Sequence, residues 1–273
     1  VTDQIVSPDP PWLEIIVPAR NEQARLPSGL AELCDKITAF APGAEVIVVD
    51  SASSDRTAAI ARDWPAGPVP VRLVQCDRPG KGAAVRAGLL DTRAAFVGFC
   101  DVDMATDLAA LRDVLQLLQA GHQVVVGSRA HAASVVEVRH SAGRKAGAAV
   151  FRALARAVVP GAGDTQCGFK FFSGPLARRA AADLRSAGFA FDIELLARCR
   201  QLGGELIEIP VTWRDVPGST FSIWRHSLSA FAEIGEIVLA LRSRSDWAEA
   251  ETELAGQPAA VAVAEIATAS GPL

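Results

Sequence analysis

Ala94-Ala-Phe-Val-Gly-Phe-Cys100 runs directly into Asp101-Val102-Asp103. The apolar run has the length of one buried strand, and it delivers two carboxylates, one residue apart, at the strand's carboxyl end. A hard divalent cation such as Mg2+ or Mn2+ takes oxygen ligands of this kind and commonly shares them with substrate phosphates. Open α/β sheets place their ligands beyond the carboxyl ends of their strands. An exposed acidic turn is the other reading of two neighbouring acids, so the flanking sequence has to decide.

On either side of this run, strand and helix patterns alternate. Residues 13–17, 45–49, 71–75 and 123–127 are apolar runs that read as strands. Helices are expected at 25–40, 55–63, 80–92 and 107–120. Such repetition predicts a mostly parallel sheet with right-handed crossovers. Further on, helices are expected at 141–158, 175–186 and 191–203, and strands at 169–172 and 205–213. Leu228, Phe231, Ile234, Val238 and Leu241 follow helical spacing within 226–244. That stripe suits either a helix docked on the core or one lying in a membrane interface.

Composition narrows the function classes. Half of the 273 residues are hydrophobic, enough for a large core, and the net charge is −4. Five acids and no Lys or Arg fall in 246–273, an Ala-rich tail expected to be disordered. Arg129, Arg139, Arg144, Lys145, Arg152 and Arg156 face a single acid, Glu137, within 129–156. This suits an anionic partner such as phosphate or an acidic membrane surface. Nucleic acid is disfavoured because no aromatic residues interleave these bases. No apolar stretch reaches the ~20 residues of a membrane span, and the first residues lack a signal-peptide pattern. Cys34, Cys76, Cys100, Cys167 and Cys199 are scattered, which suits a reducing cytoplasm and argues against a disulfide frame or zinc site. His122, His131, His140 and His226 show no metal-ligand pairing.

Each strand end carries polar residues. Pro18-Ala19-Arg20-Asn21-Glu22 follows the first strand, where a dinucleotide fold would put G-x-G-x-x-G. Asp50-Ser-Ala-Ser-Ser-Asp55 follows the second; Asp50 can accept hydrogen bonds from a base or ribose, and Asp55 can cap the next helix. Arg78-Pro-Gly80-Lys81-Gly82 follows the third. Its glycines are expected to let backbone N–H groups approach an anion beside Lys81. With Asp101 and Asp103, four consecutive strand tips carry nucleotide-compatible chemistry.

PARNE, VVDSASSDRT, RPGKGAAVRAG and DVD together resemble the family 2, GT-A type glycosyltransferases. GSRAHA (127–132), RHSAGRKAG (139–147), DTQCGFKFF (164–172), FDIELL (191–196) and VTWRDVPGSTFS (211–222) resemble the polyprenyl- and dolichyl-phosphate sugar synthases, closest to the dolichyl-phosphate β-glucosyltransferase branch. The resemblance covers about residues 13–225. It implies a GT-A fold, an α/β domain with a mostly parallel central sheet flanked by helices, over 11–225. A flexible 1–10 would precede it, and an amphipathic helix at 226–245 would follow.

The resemblance also implies an inverting transfer of a hexose from a nucleotide-diphospho-sugar, UDP-glucose favoured, to polyprenyl phosphate at the cytoplasmic face of a membrane. Pro18, Arg20, Glu22, Asp50 and Lys81, with the Gly80 and Gly82 backbone, would line the nucleotide-sugar site. Asp101 and Asp103 would hold Mg2+ or Mn2+. Arg129, Arg139, Arg144 and Lys170 would grip the acceptor phosphate; the alternatives are surface charges at Arg139 and Arg144 and a salt bridge within its loop for Lys170. A hydroxyl acceptor would need a base, for which Asp192 or Glu194 are the candidates, although both acids also suit a helix start. Trp213 and Trp224 would flank a lipid entrance or pack in the core. Ser51 stands where the family usually has a second acid, and Ala105 where the mannosyl branch often has Gln. Alternatives are another donor (UDP-N-acetylhexosamine or GDP-mannose), a soluble hydroxyl acceptor, a sugar-nucleotide pyrophosphorylase, or a non-catalytic binder. PARNE lacks the glycine-rich loop a pyrophosphorylase wants, and the Asp101/Asp103 pair argues against a mere binder.

Overall fold

The computed structural model describes residues 10–137, 153–216 and 233–237. Seven strands form the main sheet: β1 (Leu13–Ala19), β2 (Glu45–Ser51), β3 (Val71–Cys76), β4 (Phe96–Cys100), β5 (Val124–Ser128), β7 (Phe169–Ser173) and β8 (Leu206–Pro210). Their order is β3-β2-β1-β4-β7-β5-β8. β1 runs parallel to β2 and β4, β2 to β3, and β5 to β8. The mostly parallel sheet expected from the sequence is therefore present, with one reversal. β7 lies antiparallel between β4 and β5, with Cys100 opposite Phe169 and Phe99 opposite Lys170. Its reversed direction brings the start of β7 to the edge where β4 ends.

Strands β1, β2, β4 and β5 are buried along nearly their whole length, as strands covered on both faces must be. Alternate side chains feed two cores. Ile16, Ile47, Val49, Val97, Phe99 and Phe172 point to one side. There they meet α3 (Lys81–Asp91), α5 (Gly174–Ala182) and α6 (Phe191–Gln201). Ile15, Val17, Val46, Val48, Val125 and Phe171 point to the other. There they meet α1 (Leu26–Phe40), α2 (Thr57–Arg62) and α4 (Leu111–Gln119). α1 buries Leu26, Leu30, Leu33 and Ile37 on one stripe, with Pro27 in its first turn. α3 has no such stripe; it buries Gly82, Ala83, Ala84, Val85, Gly88 and Leu89. Small residues let it lie close on the sheet. A Cβ at Gly88 would stand 2.9 Å from Ile16.

Several boundaries differ from the expectation, each with a local cause. The strand expected at 205–213 is two. β8 ends at Pro210, and the chain steps through Val211 into β9 (Thr212–Arg214), which pairs with β6 (Val135–Glu137) as a separate ribbon. The helix expected at 107–120 opens as a 3-10 turn, Leu108–Ala110, capped by Asp107, whose Oδ1 accepts the Ala109 N–H at 2.9 Å. The helix expected at 55–63 begins only at Thr57, because Asp55 Oδ1 accepts the Thr57 N–H at 2.9 Å. Of the helix expected at 141–158, residues 153–158 are described and helical. Of the stripe at 226–244, residues 233–237 are described. They are helical, with Ile234 and Ile237 buried in the core that α6 also lines, so this part docks on the core. Arg139, Arg144, His140, His226, Trp224 and the tail lie outside the described residues. No helix among the described residues is long and apolar enough to cross a membrane.

Gly98, at the middle of β4, faces the Phe171 ring, and a Cβ there would stand 2.0 Å from it. Gly98→Ala is expected to cost about 1–3 kcal/mol by overpacking, read as a lowered urea midpoint with an unchanged m-value.

Candidate active site

The site lies along the carboxyl ends of β3, β2, β1 and β4, which are neighbours in the sheet. At the end of β2, Asp50 is buried. Its Oδ2 accepts the Ser53 N–H at 3.3 Å, while its Oδ1 is buried with no partner among the described residues. An unmet buried acceptor is costly unless something binds there. Beside it, Ser51 is buried and organises the next loop. Its hydroxyl accepts the Gly80 N–H at 2.9 Å and donates to the Arg78 carbonyl at 3.0 Å. Where the family usually has a second acid, this chain thus has a loop tether.

The tips of β1 and β2 are stitched to each other. Asn21 donates its backbone N–H to Ser53 Oγ at 2.9 Å, and its Oδ1 accepts the Ser54 N–H at 2.9 Å. The Glu22 N–H reaches Thr57 Oγ1 at 2.7 Å. Asn21, Ala52 and Met104 all adopt positive φ, at +55°, +54° and +46°. Such strain in non-glycine residues costs of order 1–3 kcal/mol each and gathers at functional sites. Here it falls at the ends of β1, β2 and β4.

Pro18 is half-buried at the end of β1, and Arg20 is exposed beyond it. The Glu22 carboxylate forks onto Arg25, with Nε at 2.7 Å and Nη2 at 2.5 Å. Arg25 Nη1 in turn stands 3.5 Å from Asp103 Oδ2. Glu22 therefore acts on the site through Arg25, a residue that the sequence reading passed over. The Glu22–Arg25 spacing of three, on one turn, was the available signal.

At the end of β4, Asp101 pairs with Lys81 at 2.5 Å. Burial and the neighbouring Asp101 charge push the Asp103 carboxyl above its usual range, against the pull of the Ala105 N–H, Arg25 and Lys81. Burial works against the Lys81 ammonium, but Asp101 and Asp192 outweigh it and hold its pKa above the ordinary lysine value. Two partly desolvated carboxylates that oppose each other's charge are a donor set that a divalent cation relieves. Among the described residues no group of three or more His, Cys, Asp or Glu gathers here. Gly168 makes room for Asp101: a Cβ there would stand 1.9 Å from its Oδ2.

Arg129 follows β5. Its Nε and Nη2 fork onto Asp164 at 2.6 and 2.9 Å, and its guanidinium lies 5.6 Å over the half-buried Trp213 ring. Burial opposes the Asp164 charge, yet the fork overcomes it and holds the carboxyl at about 2. Burial likewise opposes the Arg129 charge, and the same fork raises its pKa above the ordinary arginine value. Trp213 thus serves as a platform for Arg129 and packs against the core beneath.

Four expectations are corrected. Lys170 is fully buried and cannot grip a phosphate in solvent. Its Nζ donates to Asp192 Oδ1 at 2.6 Å and to the Cys167 carbonyl at 2.5 Å. Asp192, buried and paired with Lys170, is denied to an acceptor hydroxyl. Burial pushes its pKa up, against Lys170 and Lys81. Glu194 is also buried; it accepts the N–H groups of Arg185 and Ser186 and pairs with Arg198 at 2.6 Å. The Gly82 and Ala83 N–H groups already donate to the Ala187 carbonyl at 2.9 and 3.3 Å, so this helix start is no anion cradle. Its glycines are there for close approach: a Cβ at Gly82 would stand 2.5 Å from the Ser186 carbonyl.

The sequence pattern of glycosyl transferase family 2 matches residues 14–175, from β1 into the start of α5. The chain belongs to glycosyl transferase family 2. Dolichyl-phosphate beta-glucosyltransferase of Drosophila melanogaster is 35% identical over 228 residues, 77% of this chain and 70% of that protein. The Homo sapiens protein of the same name is 32% identical over 250 residues, 85% of this chain and 75% of that one. A glucosyl-3-phosphoglycerate synthase of Mycobacterium tuberculosis, crystallised with Mn2+, UDP and glucosyl-3-phosphoglycerate, shares the fold. Its TM-score is 0.58 at 22% identity, covering 86% of this chain and 81% of that one. As a family 2 glycosyltransferase, this chain sets its Asp101-Val102-Asp103 motif between Lys81 on one side and Arg25 on the other.

Gly168→Ala is expected to displace the Asp101 carboxylate and lower kcat about a hundredfold, the scale of a misplaced catalytic group, with the circular dichroism of the sheet retained. The Arg129–Asp164 fork has a pH signature. A carboxyl held at about 2, below its ordinary 3.8, adds stability that is complete above the ordinary value and disappears as pH falls through the folded one. Urea midpoints of Arg129→Met and the wild type should therefore differ at neutral pH and converge as pH falls from about 4 to about 2.

Proposed function

We propose that this chain transfers glucose from UDP-glucose to polyprenyl phosphate, with inversion at C1, at the cytoplasmic face of a membrane. The observation that carries this reading is the row of Asp50, Lys81, Asp101 and Asp103 along adjacent strand tips, with Asp50 Oδ1 buried and unmet among the described residues. The 30–35% identity to dolichyl-phosphate beta-glucosyltransferases supports the choice of sugar and acceptor.

The nucleoside lies over the ends of β1, β2 and β3, framed by Pro18 and Arg20, and Asp50 Oδ1 accepts its hydrogen bond. Asp101 and Asp103 would hold Mg2+ or Mn2+, and the ion would supply positive charge that offsets the departing diphosphate. Lys81, compact and on a flexible stem, turns from Asp101 toward the same diphosphate. The acceptor phosphate monoester is largely ionised near neutral pH, since its second pKa is about 6. Its oxygen attacks C1 as the C1–O bond to UDP breaks, and the electron pair leaves with UDP. No protein base is required, which agrees with Asp192 and Glu194 being buried in ion pairs. Arg129 is held rigid by Asp164 and Trp213 and offers its remaining edge to the acceptor phosphate. Arg139 and Arg144 supply further positive charge from the segment that follows β6.

The test is a donor screen. The chain, Mn2+ and a short polyprenyl phosphate are incubated in turn with labelled UDP-glucose, UDP-N-acetylglucosamine and GDP-mannose. A labelled lipid is expected from UDP-glucose alone, lost on chelation and in Asp103→Ala. Labelled lipid from another donor would replace the sugar in this reading. Metal-dependent donor hydrolysis with no lipid product would point to a soluble acceptor.

A further inference from the structure

The loop joining α5 to α6 is held from three sides. From beneath, Glu194 accepts the N–H groups of Arg185 at 3.0 Å and Ser186 at 2.8 Å. From the side, the Ala187 carbonyl accepts the Gly82 N–H at 2.9 Å and the Ala83 N–H at 3.3 Å, in the first turn of α3. From outside, Glu233 Oε2 accepts the Ser186 hydroxyl at 2.8 Å. The contact with α3 is backbone against backbone and close enough to require glycine, and Gly188 lies against the Glu233 carboxylate. A Cβ would stand 2.2 Å from the Ala187 carbonyl at Gly80, and 2.7 Å from Glu233 Oε1 at Gly188. Ile234 and Ile237, on the same turn as Glu233, are buried with Ala190 and Phe191. Lys81 sits between Gly80 and Gly82, at the end of this series of contacts.

We propose that Glu233 is a positioning residue for the donor site, fixing Ser186 and Ala187 and, through the Ala187 carbonyl, the turn of α3 that carries Lys81. This rests on the reading of Lys81 as a contact to the donor diphosphate. The segment at 233–237 then does more than cover apolar surface. It sets how firmly the helix start beneath Lys81 is held, although it is remote in sequence from every strand tip. The hydroxyl–carboxylate bond at Ser186 is charge-assisted and hence one of the stronger single contacts available to a loop.

The experiment compares the full chain with Glu233→Ala, Glu233→Gln and Ser186→Ala by amide hydrogen exchange, alongside UDP binding in Mn2+ by calorimetry. In Glu233→Ala and Ser186→Ala, the Gly82 and Ala83 amides are expected to exchange roughly tenfold faster, the scale of one charge-assisted hydrogen bond. Protection in β1 and β2 stays unchanged, which shows an intact fold. Glu233→Gln keeps an acceptor for the Ser186 hydroxyl and recovers most of the protection. UDP affinity falls in Glu233→Ala, and adding that change to Lys81→Ala costs nothing further, because both act through one contact. Faster exchange confined to 185–188 and 233–237, or additive losses in the double variant, would overturn the proposal while leaving the donor site standing. A wild-type chain that fails to bind UDP would overturn the donor reading, and this proposal with it.

Discussion

The reversed strand β7 is the constraint on which the site depends. An all-parallel sheet would place only carboxyl ends along this edge, with helices starting beyond each. By running antiparallel beside β4, β7 sets its own first residues against the last residues of β4. The Asp101 N–H donates to the Gly168 carbonyl at 3.1 Å, and the missing side chain of Gly168 is the space that the Asp101 carboxylate fills. The same pairing puts Lys170 opposite Phe99, one step inside the protein from the reacting edge. The segment before β7 carries Asp164, which fixes Arg129 at the end of β5. One strand direction thus gathers the carboxylate pair, its buried support and the forked arginine.

Charge of alternating sign runs through the site from the interior outward. Lys170 meets Asp192; Lys81 feels both Asp192 and Asp101; Asp103 beside them meets Arg25, and Arg25 meets Glu22. No member of the series is left facing only its own sign. A buried lysine with one partner removed would leave an uncompensated charge, which costs several kcal/mol. The inner members are therefore fixed by stability, and the outer ones inherit their positions.

Much of the fold could be read from the sequence because strands covered on both faces are written as continuous apolar runs. The direction of β7 could not be. Phe169-Lys170-Phe171-Phe172 is a mostly apolar run that suits a parallel or an antiparallel strand alike, and nothing local says that Lys170 faces a covered side. The resemblance made the lysine a phosphate grip, with a salt bridge as the alternative, and the helix lying over it, with Asp192 in its first turn, makes it a paired core residue. Asp192 and Glu194 carried two readings, base or helix-start acid, and spacing alone does not separate them. In the fold both are bound up in ion pairs. The glycines of Arg78-Pro-Gly-Lys-Gly pointed to close approach correctly, but the group that approaches Gly82 is another stretch of backbone. Asp50, Asp101 and Asp103 were accessible to sequence reading because a strand end fixes where its next residue stands.

The charge series also divides into two parts that respond differently to their surroundings. Lys170 and Asp192 are 0% and 3% exposed, whereas Lys81 and Asp101 are 19% and 37% exposed. Dissolved ions screen charges that water can reach and leave enclosed ones nearly untouched. As ionic strength rises, the outer pair loosens while the inner pair keeps its full attraction. The site therefore combines a base insensitive to the ionic medium with a rim that yields to it, so that Lys81 is freed from Asp101 by the same kind of competition that an incoming polyanion would impose.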